Sequence, residues 1–513
     1  MARWLKVALA AGLVVAAAGA FLILGPLHLL GPNPLAPASR TKLRFQSFAD
    51  DPRWQARNNR RHGPCTTTPQ DFGSQGDASI GGLITRSARP AWYGRRVALD
   101  FQHRFSVGGV LVVRRGRQQD FPGGSAIVGF FNHANVDWRA PSQLGFQVNA
   151  DPVNGGDYSV VLAYGARDYE TDHLNYGAGK PFGFRFGRRY RWRLTYDPAG
   201  AGGRGRATLA IPEAGPPVSL ALAPRARASG AALDRLGMTN QVVARGRELR
   251  VSITRLALDG VPQGSVGNPE VWQGRGNHAA FHDCLTGQPN LFGWTGPRDR
   301  RLGGLIARTD EDHPHLGAFY ADRVGRLSLD DRLHAAGTVR LVRANSDSAT
   351  LLGWFEAGSA GAGSGEQGPR GFIGISLTGP SRVGQYFGAL VSDRRGENST
   401  DDTPGLVLNP GPATYRWSFD YFPQSGESGV IVLRLGDRRT AWSLPNKVRR
   451  AGAVLNHFGM RNLERGGSFQ VVYFDDLAYT VGADAGEGQQ RQARGEDERH
   501  HGKRSRHGGK HHD

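Results

Sequence analysis

The sequence predicts an all-β protein in which one unit of about 220 residues occurs twice. Of 513 residues, 73 are glycine and 29 are proline, so about a fifth of the chain is turn-forming. Short runs rich in β-branched and aromatic residues alternate with these turns, and no long helical period separates them. Together with the repeat, these observations favour two antiparallel β-sandwiches joined in tandem.

The repeat is the strongest signal in the chain. Gly81–Arg86 (GGLITR) is matched by Gly303–Arg308 (GGLIAR), at an offset of 222 residues. Tyr190–Trp192 is matched by Tyr415–Trp417, at an offset of 225. Because order and spacing are kept, the agreement indicates a duplicated unit rather than chance.

The repeat also sets the predicted domains. A WQ-x-R motif at Trp54 recurs at Trp272, ahead of the GGLI motif in both places. We therefore predict a first copy at 45–262 and a second copy at 263–482. Residues 1–44 remain as a signal or anchor segment with a linker, and residues 483–513 remain as a tail.

Each copy contains short β-rich runs separated by Gly, Pro, Asn and Asp. In the first copy, Tyr190–Tyr196, a glycine-rich turn and Ala207–Ile211 predict a hairpin. The runs that predict strands are Val110–Val113, Ala126–Phe131, Ser159–Ala163, Arg191–Tyr196, Ala207–Ile211, Val251–Leu258, Thr338–Val342, Thr350–Phe355, Phe372–Leu377, Arg416–Tyr421, Val430–Leu435 and Phe469–Tyr479.

The two cysteines, Cys65 and Cys284, are equivalent in the two copies. Equivalent positions in tandem domains normally lie far apart, so we expect two separate free thiols. A single bond between the copies is the alternative, and it requires a pseudo-twofold axis that brings both cysteines together.

The amino terminus indicates export. Arg3 and Lys6 precede an uninterrupted apolar run of 18 residues, Val7–Leu24. This run is longer than the core of a typical cleaved signal peptide and long enough for an uncleaved membrane-spanning helix. Ala36–Ala38 (APA) resembles a cleavage site, so secretion after cleavage remains an alternative. Both interpretations place the protein in the cell envelope or outside the cell.

The carboxyl terminus predicts a disordered, basic tail, because it contains almost no apolar residue. Its histidines are able to bind a metal ion loosely or to carry a pH-sensitive positive charge. These histidines are His500, His501, His507, His511 and His512.

The net charge of +19 suggests an anionic partner, but its distribution weakens that inference. Nearly all positive charge is arginine, scattered singly or in pairs outside the tail. No helix-turn-helix, zinc-finger or RNA-binding motif accompanies it, so we expect no nucleic-acid binding.

Several of these motifs resemble a known superfamily. The hairpin, the strand at Leu236–Met238 and the final strand at Tyr473–Tyr479 look like the concanavalin A-like lectin/glucanase superfamily. With Ser346–Ser348 and Leu351–Phe355, the duplicated unit is similar to exported bacterial proteins built from two such jelly rolls. The resemblance implies two tandem concanavalin A-like jelly rolls, and lectins, glucanases and polysaccharide lyases share that scaffold.

The catalytic carboxylate pattern of the superfamily's glucanases is absent, and Asp168–Asp172 (DYETD) comes nearest. If this segment were extended, Asp168, Glu170 and Asp172 would share one face and raise one another's pKa, as a general acid requires. A solvated loop or a weak Ca²⁺ site is the alternative, and we otherwise expect no cofactor. Cleavage by a lyase would instead need an Arg, Gln or Asn to neutralise the uronate carboxylate and a Tyr or His as base and acid. The first copy offers Asn132, Trp138, Arg139, Gln147, His173, Asn175 and Tyr176 for these roles.

Glycan binding requires fewer special groups, namely aromatic faces for stacking with amides and arginines for the hydroxyls. The candidate ligand-binding residues are Asn132, Trp138, Arg139 and Tyr176 in the first copy and Glu356, Arg370 and Tyr386 in the second. The two sets differ, which predicts two non-equivalent faces. We therefore predict an exported, membrane-anchored glycan-binding protein with two non-equivalent lectin-like domains. A polysaccharide-cleaving enzyme and a structural envelope protein are the alternatives.

Overall fold

Four large antiparallel sheets and one small sheet contain most of the residues that the structure describes. We label them sheets I–V and number the strands in chain order. The computed structural model describes residues 41–61, 65–76, 79–116, 124–150, 155–176, 183–242, 247–263, 268–283, 289–309, 317–345, 347–359, 369–381, 384–396, 398–400, 406–463 and 467–486.

Sheets I and II consist mainly of the first copy. Sheet I has eight strands: β15 (Val218–Ala221), β14 (Arg206–Ala210), β13 (Arg189–Asp197), β8 (Phe105–Arg115), β17 (Glu248–Leu258), β6 (Ile80–Thr85) and β5 (Asp71–Ser74), with β18 (Val261–Pro262) beside β17. Sheet II has seven: β12 (Thr171–Asn175), β11 (Ser159–Gly165), β10 (Gln143–Asn149), β9 (Ser125–Phe131), β16 (Leu233–Asn240), β7 (Trp92–Leu99) and β19 (Trp272–Arg275).

Sheets III and IV consist mainly of the second copy. Sheet III has nine strands: β3 (Arg60–Arg61), β21 (Asn290–Trp294), β22 (Leu302–Ala307), β33 (Phe469–Gly482), β24 (Leu333–Ala344), β29 (Tyr415–Phe422), β30 (Val430–Leu435), β31 (Arg438–Ser443) and β1 (Thr41–Gln46). Sheet IV has seven: β2 (Gln55–Arg57), β23 (Phe319–Ser328), β32 (Val454–Asn462), β25 (Ser348–Phe355), β26 (Phe372–Ser381), β27 (Gly384–Ser392) and β28 (Asn398–Thr400).

The remaining elements are short. Sheet V pairs β4 with β20, and the helices of the described residues do not exceed six residues. Their bounds are β4 (Thr66–Pro69), β20 (Ala280–Asp283), α1 (Pro224–Ser229), α2 (Asn446–Ala451) and the 3₁₀ turns Pro212–Ala214, Ala357–Ser359 and Ala483–Gly486. The all-β prediction is confirmed. Each of the twelve predicted runs lies within a single strand, except that Ile211 lies one residue beyond the end of β14.

Sheets I and II face each other across one apolar core, and sheets III and IV enclose a second. In the first core, Phe105 of sheet I lies 4.6 Å from Phe130 of sheet II, between ring centroids. In the second, Tyr479 of sheet III stacks on Phe458 of sheet IV at 4.3 Å. We call these pairs of sheets the first and second sandwich. Alternating core and surface residues on each strand produce this arrangement.

Each copy gives its amino-terminal segment to the other sandwich. Strand β2, from the first copy, pairs with β23, and Trp54 just before it lies in the second core. Strand β19, from the second copy, pairs with β7, and Trp272 lies in the first core. The exchange is therefore reciprocal, and the boundaries predicted at 45–262 and 263–482 do not coincide with the boundaries of the cores.

The same side-chain contacts fix both exchanged segments. Asn59 Nδ2 donates to the Phe292 carbonyl at 2.7 Å, and the Phe292 amide donates to the Asn59 carbonyl at 2.9 Å. Asn277 and Phe72 make the matching two bonds, at 2.6 and 3.0 Å. Two buried asparagines thus hold the segments through paired backbone contacts, whose loss would leave buried polar groups unsatisfied.

Sheet V lies between the exchanged segments, where Thr66 of the first copy pairs with Asp283 of the second. Cys65 is disulfide-bonded, so its interpretation as a free thiol is wrong. The reason is that the exchange brings equivalent segments side by side, which separate tandem domains would not do. Cys284, the other cysteine of the sequence, lies outside the described residues.

The predicted apolar helix at the amino terminus lies outside the described residues, as do residues 487–513 of the predicted tail. Residues 483–486, which the sequence assigned to the disordered tail at 483–513, instead form a 3₁₀ turn, and Ala485 packs into the second core. Within the part of the chain that the structure describes, no helix has the length and apolar character needed to cross a membrane.

Candidate functional site

A cleft of about 400 Å³ opens between the two sandwiches. Its volume falls within the range of roughly 300–1,000 Å³ that small-molecule sites occupy. The first sandwich contributes the loop between β9 and β10, with Tyr169 and Val242, and the second contributes Val342–Asn345, Gln385 and Pro410. Neither sandwich forms this cleft alone.

The loop at 132–142 folds back over the outer face of sheet II. Asn132 starts this reversal, because its Oδ1 accepts from the Ala134 amide at 3.0 Å and its Nδ2 donates to the Ala232 carbonyl at 2.9 Å. Trp138 then packs on Ile127, Val161 and Ala163 of the sheet and is only 7% exposed. The packing of Trp138 therefore places the residues beside it at the wall of the cleft.

Asp137 fastens this loop to the end of β16. Its Oδ1 accepts from the Trp138 amide at 2.7 Å and from the Val242 amide at 3.1 Å. Burial raises the pKa of Asp137 to about 7, although these two amides and the charge of Arg343 oppose the rise. The cleft thus contains a carboxyl group that titrates near neutral pH.

Arg139 follows at the cleft wall, with a left-handed backbone at φ 56°. Its Nη1 lies 3.4 Å from Nδ1 of His173, on β12. Burial lowers the pKa of Arg139, while the charges of Asp347, Asp172 and Asp137 act in the opposite direction. A guanidinium remains charged at neutral pH in proteins, so Arg139 places a positive charge at the cleft wall.

The wall from the second sandwich begins with Arg343. Its Nη2 donates to the Ala88 carbonyl of the first sandwich at 3.1 Å, and its guanidinium lies over the Phe469 ring at 4.9 Å. Asn345 likewise bridges the sandwiches, since its Nδ2 donates to the Val242 carbonyl at 2.6 Å. These contacts fix the two walls relative to each other.

Two residues that line the cleft carry buried amide oxygens without a donor in the described part of the chain. Asn345 and Gln385 are both 2% exposed. Neither Oδ1 of Asn345 nor Oε1 of Gln385 has a hydrogen-bond partner among the described residues. Because a buried acceptor without a donor costs free energy, these two oxygens are unsatisfied polar atoms of residues that line the cleft.

The predicted acidic cluster is divided in the structure. Tyr169 has φ 69°, so Asp168–Glu170 forms a turn rather than the extended strand that would put the carboxylates on one face. Asp168 Oδ1 accepts from the Ser229 hydroxyl of α1 at 2.9 Å. Glu170 is buried, which raises its pKa, and it faces the Ala226 amide of the same helix. Of this group, only Asp172 and the adjacent His173 lie near Arg139.

The other predicted ligand-binding residues have different surroundings. Tyr176 is buried in the first core, where its hydroxyl donates to the Ile211 carbonyl at 3.1 Å and accepts from the Ile211 amide at 3.0 Å. Glu356 and Arg370 lie where β25 ends and β26 begins. Tyr386 is opposite Thr378, which lies six residues along β26 from Phe372. Tyr386 is therefore about 20 Å from the end of the sheet where Glu356 and Arg370 lie.

Trp138 and Arg139 are thus the predicted ligand-binding residues that line the cleft, and Tyr386 adjoins Gln385 in the sequence. Sequence reasoning missed Asp137, Arg343, Asn345 and Gln385. Asn345 directly precedes the SDS motif at Ser346, which was its one available signal. Nothing in the sequence revealed that the second copy approaches the loop at 132–142.

Metal binding has no candidate among the described residues, because no three His, Cys, Asp or Glu side chains converge there. The alternative of Ca²⁺ at Asp168–Asp172 therefore lacks a ligand cluster in this part of the chain. The tail residues His500, His501, His511 and His512 lie outside the described residues.

Solved structures similar to this chain include a lyase, a lectin and a pair of laminin domains. An alginate lyase, Aly36B, in complex with alginate trisaccharide is 12% identical over 35% of this chain and 81% of its own, with a TM-score of 0.25. Peanut lectin is 13% identical over 32% and 78%, with a TM-score of 0.22. The LG4-5 domains of mouse laminin α1 are 9% identical over 77% and 87%, with a TM-score of 0.21. No family model and no curated protein matches the chain.

Proposed function

We propose that the protein binds a glycan in the cleft between its two sandwiches. The observation that carries this proposal is the pair of buried amide oxygens, on Asn345 and Gln385, that have no donor in the described chain. Sugar hydroxyls are the donors that such acceptors take, and Arg139 at the same wall supplies donors for the sugar's oxygens. Tyr169 adds an aromatic side chain beside them. The cleft combines the few convergent polar groups and the ring that sugar sites use.

We further propose that the two sandwiches are concanavalin A-like jelly rolls and that the protein is exported. Paired antiparallel sheets over one core support the first statement. The basic residues and apolar run at Val7–Leu24 support the second, with the run acting as a membrane anchor. Cell fractionation tests this: the protein is expected in the membrane fraction, and recovery in the cytoplasm would contradict export.

Replacing Gln385 with leucine is expected to weaken glycan binding by about tenfold, because the ligand's hydroxyl then loses its acceptor inside the cleft. The measurement is a glycan array with the full chain, followed by calorimetric titration of each glycan retained. The parent is expected to bind at least one glycan.

Gln263→Leu provides the matched control. Gln263 is also a buried amide, 3% exposed, whose Oε1 lacks a partner among the described residues. It lies beyond the far end of β17 and does not line the cleft. The control variant is expected to bind like the parent. The proposal fails if no glycan binds, or if both variants lose affinity equally.

Cleavage of a uronate polysaccharide is the second candidate, favoured by the contact between Arg139 and His173. The Arg139 guanidinium would neutralise the uronate carboxylate, and the His173 imidazole would take the proton from the adjacent carbon. The bond to the leaving sugar oxygen then breaks, a double bond forms in the ring, and the imidazolium returns its proton to the leaving oxygen. Incubation with uronate polymers, followed by ultraviolet absorbance of the new double bond, separates the two candidates. Activity that His173→Gln abolishes, with binding retained, supports cleavage; absence of product leaves binding alone.

A further inference from the structure

Six arginines form a diagonal line across the outer face of sheet I. Three of them occupy alternate residues of β13, where the intervening residues Tyr190 and Trp192 point into the core. Alternate side chains of a strand share one face, about 7 Å apart. We call the line the arginine stripe, and its members are Arg206, Arg193, Arg191, Arg189, Arg114 and Arg250.

Strand register places the other three arginines on the same face. On β14, Ala207 is opposite Tyr196 of β13 and Arg206 is opposite Asp197. Arg206 therefore lies on the same face of the sheet as Asp197 and the arginines of β13. Arg250 on β17 is directly opposite Arg114 on β8. Since β14, β13, β8 and β17 are adjacent in this order, the stripe crosses four strands. From Arg206 to Arg250, the stripe extends over ten residues in the strand direction and over three spacings between neighbouring strands. Its length is therefore roughly 35 Å.

The guanidinium groups of the stripe are available to a partner. Five of the six arginines are exposed, and Arg250 is half-buried. Arg191 pairs with Glu213, from Nε to Oε1 at 2.7 Å. The other five have no ion-pair partner among the residues that the structure describes. Asp197, Glu213 and Glu248 are the acidic groups beside the stripe, so positive charge remains in excess.

We propose that the arginine stripe binds a linear polyanionic glycan. The charges lie in a line one side chain wide, which matches a chain with a charge on each repeating unit. Membrane surfaces and single-stranded nucleic acids are usually bound with help from aromatic side chains. No outward-facing residue described on these four strands is aromatic. The partner is therefore a polysaccharide bearing carboxylates or sulfates.

The second sandwich lacks this stripe. The repeat aligns Arg191 with Arg416 but replaces Arg193 with Ser418 and Thr195 with Asp420. Asp420 Oδ1 lies 2.8 Å from Nδ1 of His334, which leaves that face with a carboxylate where the first sandwich has a threonine. The stripe is therefore specific to one sandwich, although arginine is scattered throughout the chain.

The stripe is also separate from the cleft. It lies on the face of sheet I that points away from sheet II, whereas the cleft lies on the outer side of sheet II. The proposal therefore does not depend on glycan binding in the cleft. Arg189→Gln together with Arg193→Gln is expected to leave the glycan affinity of the cleft unchanged, so the failure of one site is distinguishable from the failure of the other.

The test measures the Kd of the full-length protein for polygalacturonate, with the fully methyl-esterified polymer as an uncharged probe. Released counterions make such binding salt-dependent, so Kd is expected to rise about tenfold or more between about 50 and 200 mM salt. Substituting Arg189→Gln together with Arg193→Gln is expected to raise Kd about tenfold at low salt and to flatten the salt dependence.

Arg416→Gln together with Arg439→Gln removes the same charge from exposed positions on sheet III and is the control. We expect this control to bind within twofold of the parent. Equal losses in both double variants, equal binding of the esterified polymer, or no binding of polygalacturonate would overturn the proposal. Tighter binding to phosphatidylserine vesicles or to single-stranded DNA than to polygalacturonate would overturn it as well.

Discussion

Replacing Trp54 with alanine is expected to destabilise the second sandwich by about 3–5 kcal/mol, although Trp54 belongs to the first copy of the sequence. Its ring is 7% exposed and contacts Phe48, Tyr320 and Tyr479, with centroid distances of 5.3, 5.7 and 6.0 Å. Loss of this ring leaves a cavity between sheets III and IV. Chemical unfolding measures the change, and hydrogen exchange shows where protection is lost.

The pattern of amide hydrogen exchange distinguishes swapped amino-terminal segments from ordinary tandem domains. Trp54→Ala is expected to reduce amide protection in β23 and β32, and Trp272→Ala is expected to reduce it in β7 and β16. Phe45→Ala is the control, because Phe45 is 75% exposed nearby and should change stability by no more than about 0.5 kcal/mol. If Trp54→Ala weakened β7 instead, the assignment of its ring to the second core would be wrong.

Acidification from pH 6.5 to 4 is expected to remove about 3 kcal/mol of stability through His457 alone. This side chain is 7% exposed, and burial together with the charge of Arg323 lowers its pKa from 6.5 to about 4. Above pH 6.5 the imidazole is neutral in both states. Between pH 6.5 and 4 the unfolded chain takes up a proton that the folded chain does not, so stability falls as pH falls.

His457 matters because it contacts the exchanged strand. Its Nε2 lies 2.8 Å from Oε1 of Gln55, and the same oxygen accepts from Nε of Arg323 at 3.2 Å. In the first sandwich, Gln273 accepts from Arg96 at 3.2 Å and from Arg235 at 3.1 Å. Each exchanged glutamine therefore lies between two basic side chains. Only in the second sandwich is one of these side chains a histidine, whose charge changes in the acidic range.

The measurement compares the free energy of unfolding of the parent and of His457→Gln at pH 7 and pH 4. Asp137 has the opposite effect, because its raised pKa, about 7, stabilises the fold at low pH and loses that contribution as pH rises toward 7. The difference between parent and variant cancels Asp137 and isolates His457. This difference should shift by about 3 kcal/mol between the two pH values; an unchanged difference would refute the role of His457.

The repeat and the alternating strands made the all-β fold predictable. Runs such as Arg191–Tyr196 gave the strands directly, because the side chains that alternate toward the core are large and apolar. The exchange was not predictable from the same residues. Trp54 and Trp272 occupy equivalent positions in both copies, so the sequence looks the same whether each tryptophan enters its own core or the other one.

The site was predictable only in part, for a related reason. Trp138 and Arg139 were identified because sugar sites use an aromatic face for stacking and a guanidinium for the hydroxyl groups. Asn345 and Gln385 gave no comparable signal, since their significance lies in oxygens that are buried without a donor. Tyr176 resembled a ligand-binding residue in the sequence, but strand register places it in the core. Burial and register are properties of pairing between distant segments.

The most direct test of the interlocked account is to produce residues 43–263 and 264–486 as separate chains under reducing conditions. We expect each chain alone to lack cooperative unfolding, because each lacks the strand and the tryptophan that complete its core. Produced together, the two chains should copurify, unfold cooperatively and bind the glycan that the full chain binds. Cooperative folding of either chain alone, with a Tm near that of the full protein, would contradict the reciprocal exchange on which the cleft depends.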